Sequence, residues 1–343
     1  MMLRSVRTGL LFAGLTLLLV SGCSRKIKEF QPGVVYKPTD TVARVDGQKM
    51  TWDQAEKRAR NYLKEEVDSK RLFIPQGGEE KAMEFFRRKA LTLFVNKTIM
   101  VAEAKRRGIA VTPADRQKFV TEMETLLKDR NIAPSLEEFF KKSPLGEKET
   151  RREFEDGLLV DKFIQEAVRN KITVADKDRE ALVTEIIAKR REAKLKADEL
   201  RAQLAKSGDF AAMVKDCMKG EDKRVVGGDL GDVVRGRLGD KLVEDAVFSQ
   251  KINENGPVLD TVRGYMLIRV TARTAAKPAA GATPAVPETV RASFINVRTL
   301  PLLKGKELDR MIQERKFSKD MMDLLKSLQS KAKIETIYKN LSF

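Results

Sequence analysis

Histidine is absent from this 343-residue chain. Its absence excludes Ser-His-Asp and Cys-His nucleophilic centres and any imidazole-ligated metal. Cysteine occurs only twice, at Cys23 and Cys217, too few for a zinc cluster, so neither a metal site nor a cofactor is expected. Aromatic residues make up 6% of the chain, and no basic-aromatic platform accompanies the formal charge of +17. Nucleic acid is therefore not an expected partner. Long apolar runs are missing as well: the run from Leu10 to Val20 is too short to span a membrane comfortably.

What is present is charge, at 34% of residues, and enough length for two domains with buried cores. The basic excess fits long solvated helices, or attraction to anionic lipid heads and acidic peptide segments. Residues 1–22 have the parts of a secretory signal: Arg4 and Arg7, an apolar run, then small residues. Leu19-Val20-Ser21-Gly22-Cys23 resembles a bacterial lipobox, which implies lipid on Cys23 and a membrane-anchored mature chain; the alternative is an ordinary signal followed by an incidental cysteine. Acylation of Cys23 would leave Cys217 with no disulfide partner. Ser24 is not the Asp that retains lipoproteins at the inner membrane, so the expected location is the cell envelope, on the periplasmic face of the outer membrane if the cell is Gram-negative. Residues 23–40, with Pro32, Gly33 and Pro38, read as a tether.

Residues 41–172 read as a largely helical lobe. Val42 to Met50 form a hairpin turning at Asp46-Gly47, and Thr51 with Gln54 caps the helix that follows. Phe86, Ala90, Leu93, Phe94 and Val101 recur at helical spacing until Gly108 stops the run. Thr112-Pro113-Ala114-Asp115 and Ser135 with Glu138 start further helices, and another runs from Glu147 to Lys171. Phe139, Phe140, Phe154 and Phe163 either fill this lobe's core or line an apolar groove.

The most specific wording lies between Gly227 and Val270. Gly227 to Gly231 (Gly-Gly-Asp-Leu-Gly), Arg235-Gly236, Glu244 to Phe248, Gly256-Pro257-Val258 and Gly264-Tyr265 occur in that order. Ser207-Gly208-Asp209-Phe210 and Val214 to Cys217 precede them. This stretch resembles the parvulin-type peptidyl-prolyl isomerase domain, and the hairpin-then-helix opening at Val42 is similar to that of exported foldases of the PrsA and SurA kind. The resemblance implies an α+β protein, a helical chaperone lobe joined to an antiparallel sheet domain over 173–273. It also implies a substrate pocket of Leu238, Val243, Phe248, Met266 and Phe294, with Cys217 at a polar catalytic position.

Two departures from that family stand out. Its first, central strand is missing between Thr173 and Ser207, which reads as one uninterrupted helix; a sheet without that member would leave backbone groups unpaired. After an Ala- and Pro-rich linker at 274–288, residues 289–299 resemble the missing strand, with Phe294 where the family has histidine. The expectation is a permuted sheet in which Phe294 pairs beside Tyr265 to Val270; the alternative is an extra edge strand. Residues 300–343 would form a last helix and a tail returning to the helical lobe. The second departure is chemical, since the family's two histidines correspond to Phe294 and Met266. Cys217 is then a remnant polar group or a small buried hydrophobe. The resemblance implies a lipid-anchored factor binding unfolded or proline-containing exported polypeptides. Its isomerase chemistry would be weak or lost, the alternative being a fully active isomerase.

Overall fold

The computed structural model describes residues 27, 29–31, 33–68, 78–276 and 287–338. The signal segment 1–22, Cys23 and residues 277–286 of the linker lie outside them. The chain divides into two compact units, residues 1–170 with 320–343, and residues 171–319.

The first unit opens with a hairpin of β1 (Thr41–Val45) and β2 (Gln48–Thr51). Asp46 and Gly47 both have positive φ, 45° and 88°, the backbone twist that joins two strands through a tight two-residue turn. The amide of Gln54 donates to Thr51 Oγ1 at 3.4 Å and that of Thr51 to Gln54 Oε1 at 3.0 Å, opening α1 (Trp52–Asp68). Then come α2 (Glu79–Arg106), α3 (Pro113–Asp129), α4 (Leu136–Lys142) and α5 (Glu147–Ala167). The Thr112–Asp115 pair caps α3 reciprocally, as its residue types predict. Leu91 and Val95 of α2, Phe163 of α5, and Val42 and Val45 of β1 are wholly buried together.

The expected tether is only partly one. Tyr36 stacks on Trp52 at 4.5 Å, Phe30 lies 4.9 Å from the Tyr338 ring, and the Phe30 amide donates to the Ile337 carbonyl at 2.6 Å. Burying two aromatic faces against a third ring outweighs the looseness that Pro32, Gly33 and Pro38 suggest. The end of 23–40 is therefore docked on this unit.

The second unit begins with α6 (Asp176–Ser207), an uninterrupted helix as read from the sequence. Leu182, Ile186, Arg190, Ala193, Ala197, Leu200 and Leu204 are its buried stripe, at spacings of three and four. After it come α7 (Phe210–Lys219), β3 (Val225–Val234), α8 (Lys241–Ser249), β4 (Leu259–Thr261), β5 (Gly264–Thr274) and β6 (Thr289–Arg298). The four strands form one antiparallel sheet in the order β3-β6-β5-β4. β6 lies inside it, hydrogen-bonded along both edges, with Phe294 between Gly228 and Ile268.

Alternation along the strands separates two apolar layers. Tyr265, Leu267, Ile295 and Val297 pack under α6 and α7, while Ile268, Val270, Val290 and Ala292 pack under α8. Gly264 has φ 143°, and a Cβ there would stand 2.1 Å from the Val297 carbonyl oxygen, so only glycine brings β5 this close to β6.

The last helix, α9 (Gly305–Gln329), crosses the boundary between the units in sequence. Leu308 and Ile312 pack on Leu182 and Ile186 in the second unit. Leu328, Ile337 and Tyr338 belong to the core of the first, where β7 (Ile334–Thr336) pairs antiparallel with β1. No described helix is long and apolar enough to cross a membrane.

Candidate functional site

On the α8 side of the sheet, two neighbouring rows of side chains cross three strands. One runs Val226–Asn296–Met266 and the next Gly228–Phe294–Ile268. Phe294 and Met266 are thus diagonal neighbours on one face rather than a directly opposed pair. The Phe294 ring lies over Gly228, where a Cβ would come within 2.8 Å of a ring carbon, so glycine makes the berth for this ring.

A cavity of about 1050 Å³ opens above these rows. Leu238 and Val243 form its wall beside the Phe294 and Met266 floor, and Thr261, Val262, Arg263, Arg298, Thr299 and Pro301 line it further. The volume lies at the upper end of what ordinary ligand sites offer.

Local structure explains why the wall stands where it does. Asp240 caps α8, accepting from the amides of Leu242 at 3.0 Å and Val243 at 3.4 Å. Glu244, one turn in, accepts from the amides of Gly236 at 2.8 Å and Leu238 at 3.3 Å. These bonds hold the turn before α8 and with it Leu238. Arg190 anchors the loops: buried at 5% exposure, it donates to the Leu300 carbonyl at 3.1 Å, to the Thr261 carbonyl at 3.2 Å and to the Asp260 carboxylate. One side chain of α6 thereby fixes both the β4–β5 turn and the segment after β6.

Of the five pocket residues expected from the sequence, Leu238, Val243, Met266 and Phe294 line this cavity. Phe248 does not. It is 4% exposed within the layer under α8, with the Arg235 guanidinium 4.3 Å above its ring. Cys217 is also elsewhere: it sits on α7 against the opposite face of the sheet and lines a separate cavity with Leu200, Met213 and Val225. Burial, with a smaller contribution from Asp216, pushes its thiol pKa up, so at neutral pH it is a protonated thiol rather than a nucleophile. Four of the six expected residues thus share one cavity; Phe248 packs in the apolar layer behind them, and Cys217 lies apart because α7 and α8 cover opposite faces.

Two functional candidates escaped the sequence reading. Asn296 is 7% exposed, yet its Oδ1 has no hydrogen-bond partner, and Thr299 Oγ1 is likewise buried and unpaired. Both line the cavity. Strand alternation places Asn296 on the Phe294 face, but no pattern in the sequence marks its oxygen as unsatisfied. Among the described residues no group of carboxylates and thiols has the makings of a metal site.

Comparison with known proteins finds a family domain that lies mostly within the second unit. Residues 161–274 match the PPIC-type PPIASE domain, a match that begins within α5 and stops before β6. The foldase protein PrsA of Caldanaerobacter subterraneus subsp. tengcongensis is 26% identical over 324 residues, covering 90% of this chain and 94% of that protein. A foldase protein PrsA of a Geobacillus species is 28% identical over 133 residues, 38% of this chain and 46% of its own length. Residues 161–274 are a parvulin-type domain, and the chain that carries them is PrsA-like.

Proposed function

We propose that this protein is an exported folding factor that holds proline-containing segments of unfolded polypeptides in the Phe294 cavity, with prolyl isomerase chemistry weak or lost. The observation that carries this is the cavity's floor. Phe294 and Met266 stand where the resemblance places imidazoles, in a chain with no histidine at all. An apolar floor with Leu238 and Val243 beside it suits a proline ring, and burying such a ring is favourable without any covalent step. Isomerisation asks for more. The barrier is roughly 18–20 kcal/mol, and lowering it requires polar groups that favour the twisted amide over the planar one.

The same reading treats the sheet as a permuted parvulin sheet whose first strand is supplied by 289–299. In its support, β6 occupies the inner position between β3 and β5, and the family match ends at Thr274. Lipid on Cys23 would anchor the protein at the cell envelope, where unfolded exported polypeptides would be its clients, a role in keeping with the relatives' designation as foldases. Cys217 takes no chemical part.

The test is a pair of assays on the purified chain: cis–trans exchange of a short Ala-Pro peptide followed by NMR, and suppression of aggregation of a reduced, unfolded protein. Suppression with exchange slower than in a histidine-containing parvulin is expected. Fast exchange would transfer the proposal to the active-isomerase alternative, and absence of both activities would remove it.

A further inference from the structure

The floor of the cavity carries one feature that an apolar grip does not need. Asn296 sits between Val226 and Met266 in the middle of the sheet, 7% exposed, with its Oδ1 unpaired. Thr299, just past the end of β6, lines the same cavity and carries a second buried and unpaired oxygen. Buried polar atoms are almost always paired, and one that is not calls for a physical reason, a bound group among them. The space here is large enough for a peptide, and both residues line it, so a small turn of either side chain brings its oxygen to the cavity.

We propose that Asn296 and Thr299 form a backbone subsite: they hydrogen-bond a peptide unit adjacent to the proline whose ring rests on Phe294 and Met266. This rests on the proposed binding of proline segments and names the groups that would orient them. The X–Pro amide has no N–H, so Asn296 Oδ1 must be met by the N–H of a flanking peptide link. A side-chain amide also offers an Nδ2–H donor, so one carboxamide can match both the N–H and the C=O of the segment. The Thr299 hydroxyl can donate to a carbonyl or accept an N–H. A subsite of this kind sets the register of an extended chain, leaving side-chain identity to the apolar floor. It suits a protein that takes many sequences.

The experiment measures binding of a fluorescein-labelled Ala-Ala-Pro-Phe-Ala peptide amide to the full chain by fluorescence anisotropy. Two companion peptides carry an ester in place of one N–H-bearing link, before or after the X–Pro bond. Wild-type protein should bind one ester peptide roughly tenfold more weakly than the all-amide peptide, the cost of leaving one buried acceptor unmet. Asn296→Leu should bind the all-amide peptide roughly tenfold more weakly than wild type and should not distinguish ester from amide. Its thermal midpoint should be unchanged or raised, since an unpaired oxygen is removed at similar volume, which separates lost contact from lost fold. Thr299→Val serves as the second variant, with a loss in the same direction. Equal binding of amide and ester peptides by wild type, or undiminished binding by Asn296→Leu, overturns the subsite while leaving the proposed function standing. Failure of wild type to bind any of the three peptides overturns both.

Discussion

Each unit of this protein contains a cavity, and the two are built to opposite rules. In the first unit a space of about 280 Å³ is lined by Arg58, Lys97, Glu149 and Glu153 among others. These four charges are spent on one another: Arg58 donates to Glu149 at 2.9 Å and to Glu153 at 2.8 Å, and Lys97 reaches Glu153 at 2.5 Å. In the second unit the space is nearly four times larger, its floor is mostly apolar, and two residues that line it, Asn296 and Thr299, carry buried unpaired oxygens. A cavity whose polar groups satisfy each other is part of the framework. One lined by residues with unmatched buried oxygens has hydrogen-bonding capacity left for a bound molecule.

The comparison breaks or holds on a matched pair of polar-to-apolar substitutions. Arg58→Met leaves Glu149 and Glu153 facing each other in a half-buried site and should destabilise the first unit by about 3 kcal/mol, toward the low end for breaking a buried ion pair because both carboxylates keep some solvent. Asn296→Leu should leave the stability of the second unit unchanged or raise it by less than about 1 kcal/mol. Urea unfolding followed in each variant measures both. A large loss from Asn296→Leu would show that its oxygen is structural after all.

Much of this contrast could be read from residue order, and the remainder could not for definable reasons. The hairpin at Asp46-Gly47 and the capped start of α3 depend on local spacing, which a sequence displays, whereas the apolar set Leu238, Val243, Met266 and Phe294 was reached through the family resemblance. The position of β6 inside the sheet followed from asking what would pair the inner strand edges. Arg190 was hidden because a charge in a long charged helix reads as solvated, while its partner Asp260 lies 70 residues away. Cys217 was misplaced because distance along the chain says nothing about which face of a sheet a helix covers. Phe30 and Tyr36 were overlooked because prolines and glycine around them suggest slack, and their ring partners Trp52 and Tyr338 come from separate parts of the chain.

The berth of Phe294 gives the next largest effect. In Gly228→Ala the new methyl would stand 2.8 Å from the ring, so the ring must tilt into the cavity or β3 must yield. Overpacking of this kind costs about 1–3 kcal/mol and should weaken peptide binding together with stability. Phe294→Ala vacates the space, so adding Gly228→Ala to it should cost little more, and a double-mutant cycle should give a coupling of about 1 kcal/mol or more. Strict additivity would mean that the ring does not rest on Gly228.

Acid separates the units more gently. Burial opposes ionisation of Glu153, but Lys97 and Arg58 outweigh it and hold its carboxyl below the ordinary 4.5. Because the folded state lowers this pKa, the stabilisation is complete above pH 4.5 and fades as pH falls through the folded value. The first unit should therefore lose stability on acidification below about pH 4.5, with a shallower slope in Glu153→Gln. Peptide binding by the second unit should be flat from pH 6 to 8, since the chain holds no imidazole to titrate there.

The smallest effect belongs to Cys217, and it bears on which face of the sheet does the binding. The thiol is half-buried against the layer under α6 and α7, with its pKa raised by burial and Asp216, so it acts there as a small apolar group. Cys217→Ala removes one sulfur from a site with room to relax and should cost less than about 1 kcal/mol. Because the cavity it lines shares no residue with the Phe294 cavity, binding of the proline peptide should be unchanged within error. A variant that keeps its thermal midpoint and still loses the peptide would move the client site to the α7 face. The Asn296 subsite would go with it, because no single extended segment can lie on both sides of a sheet.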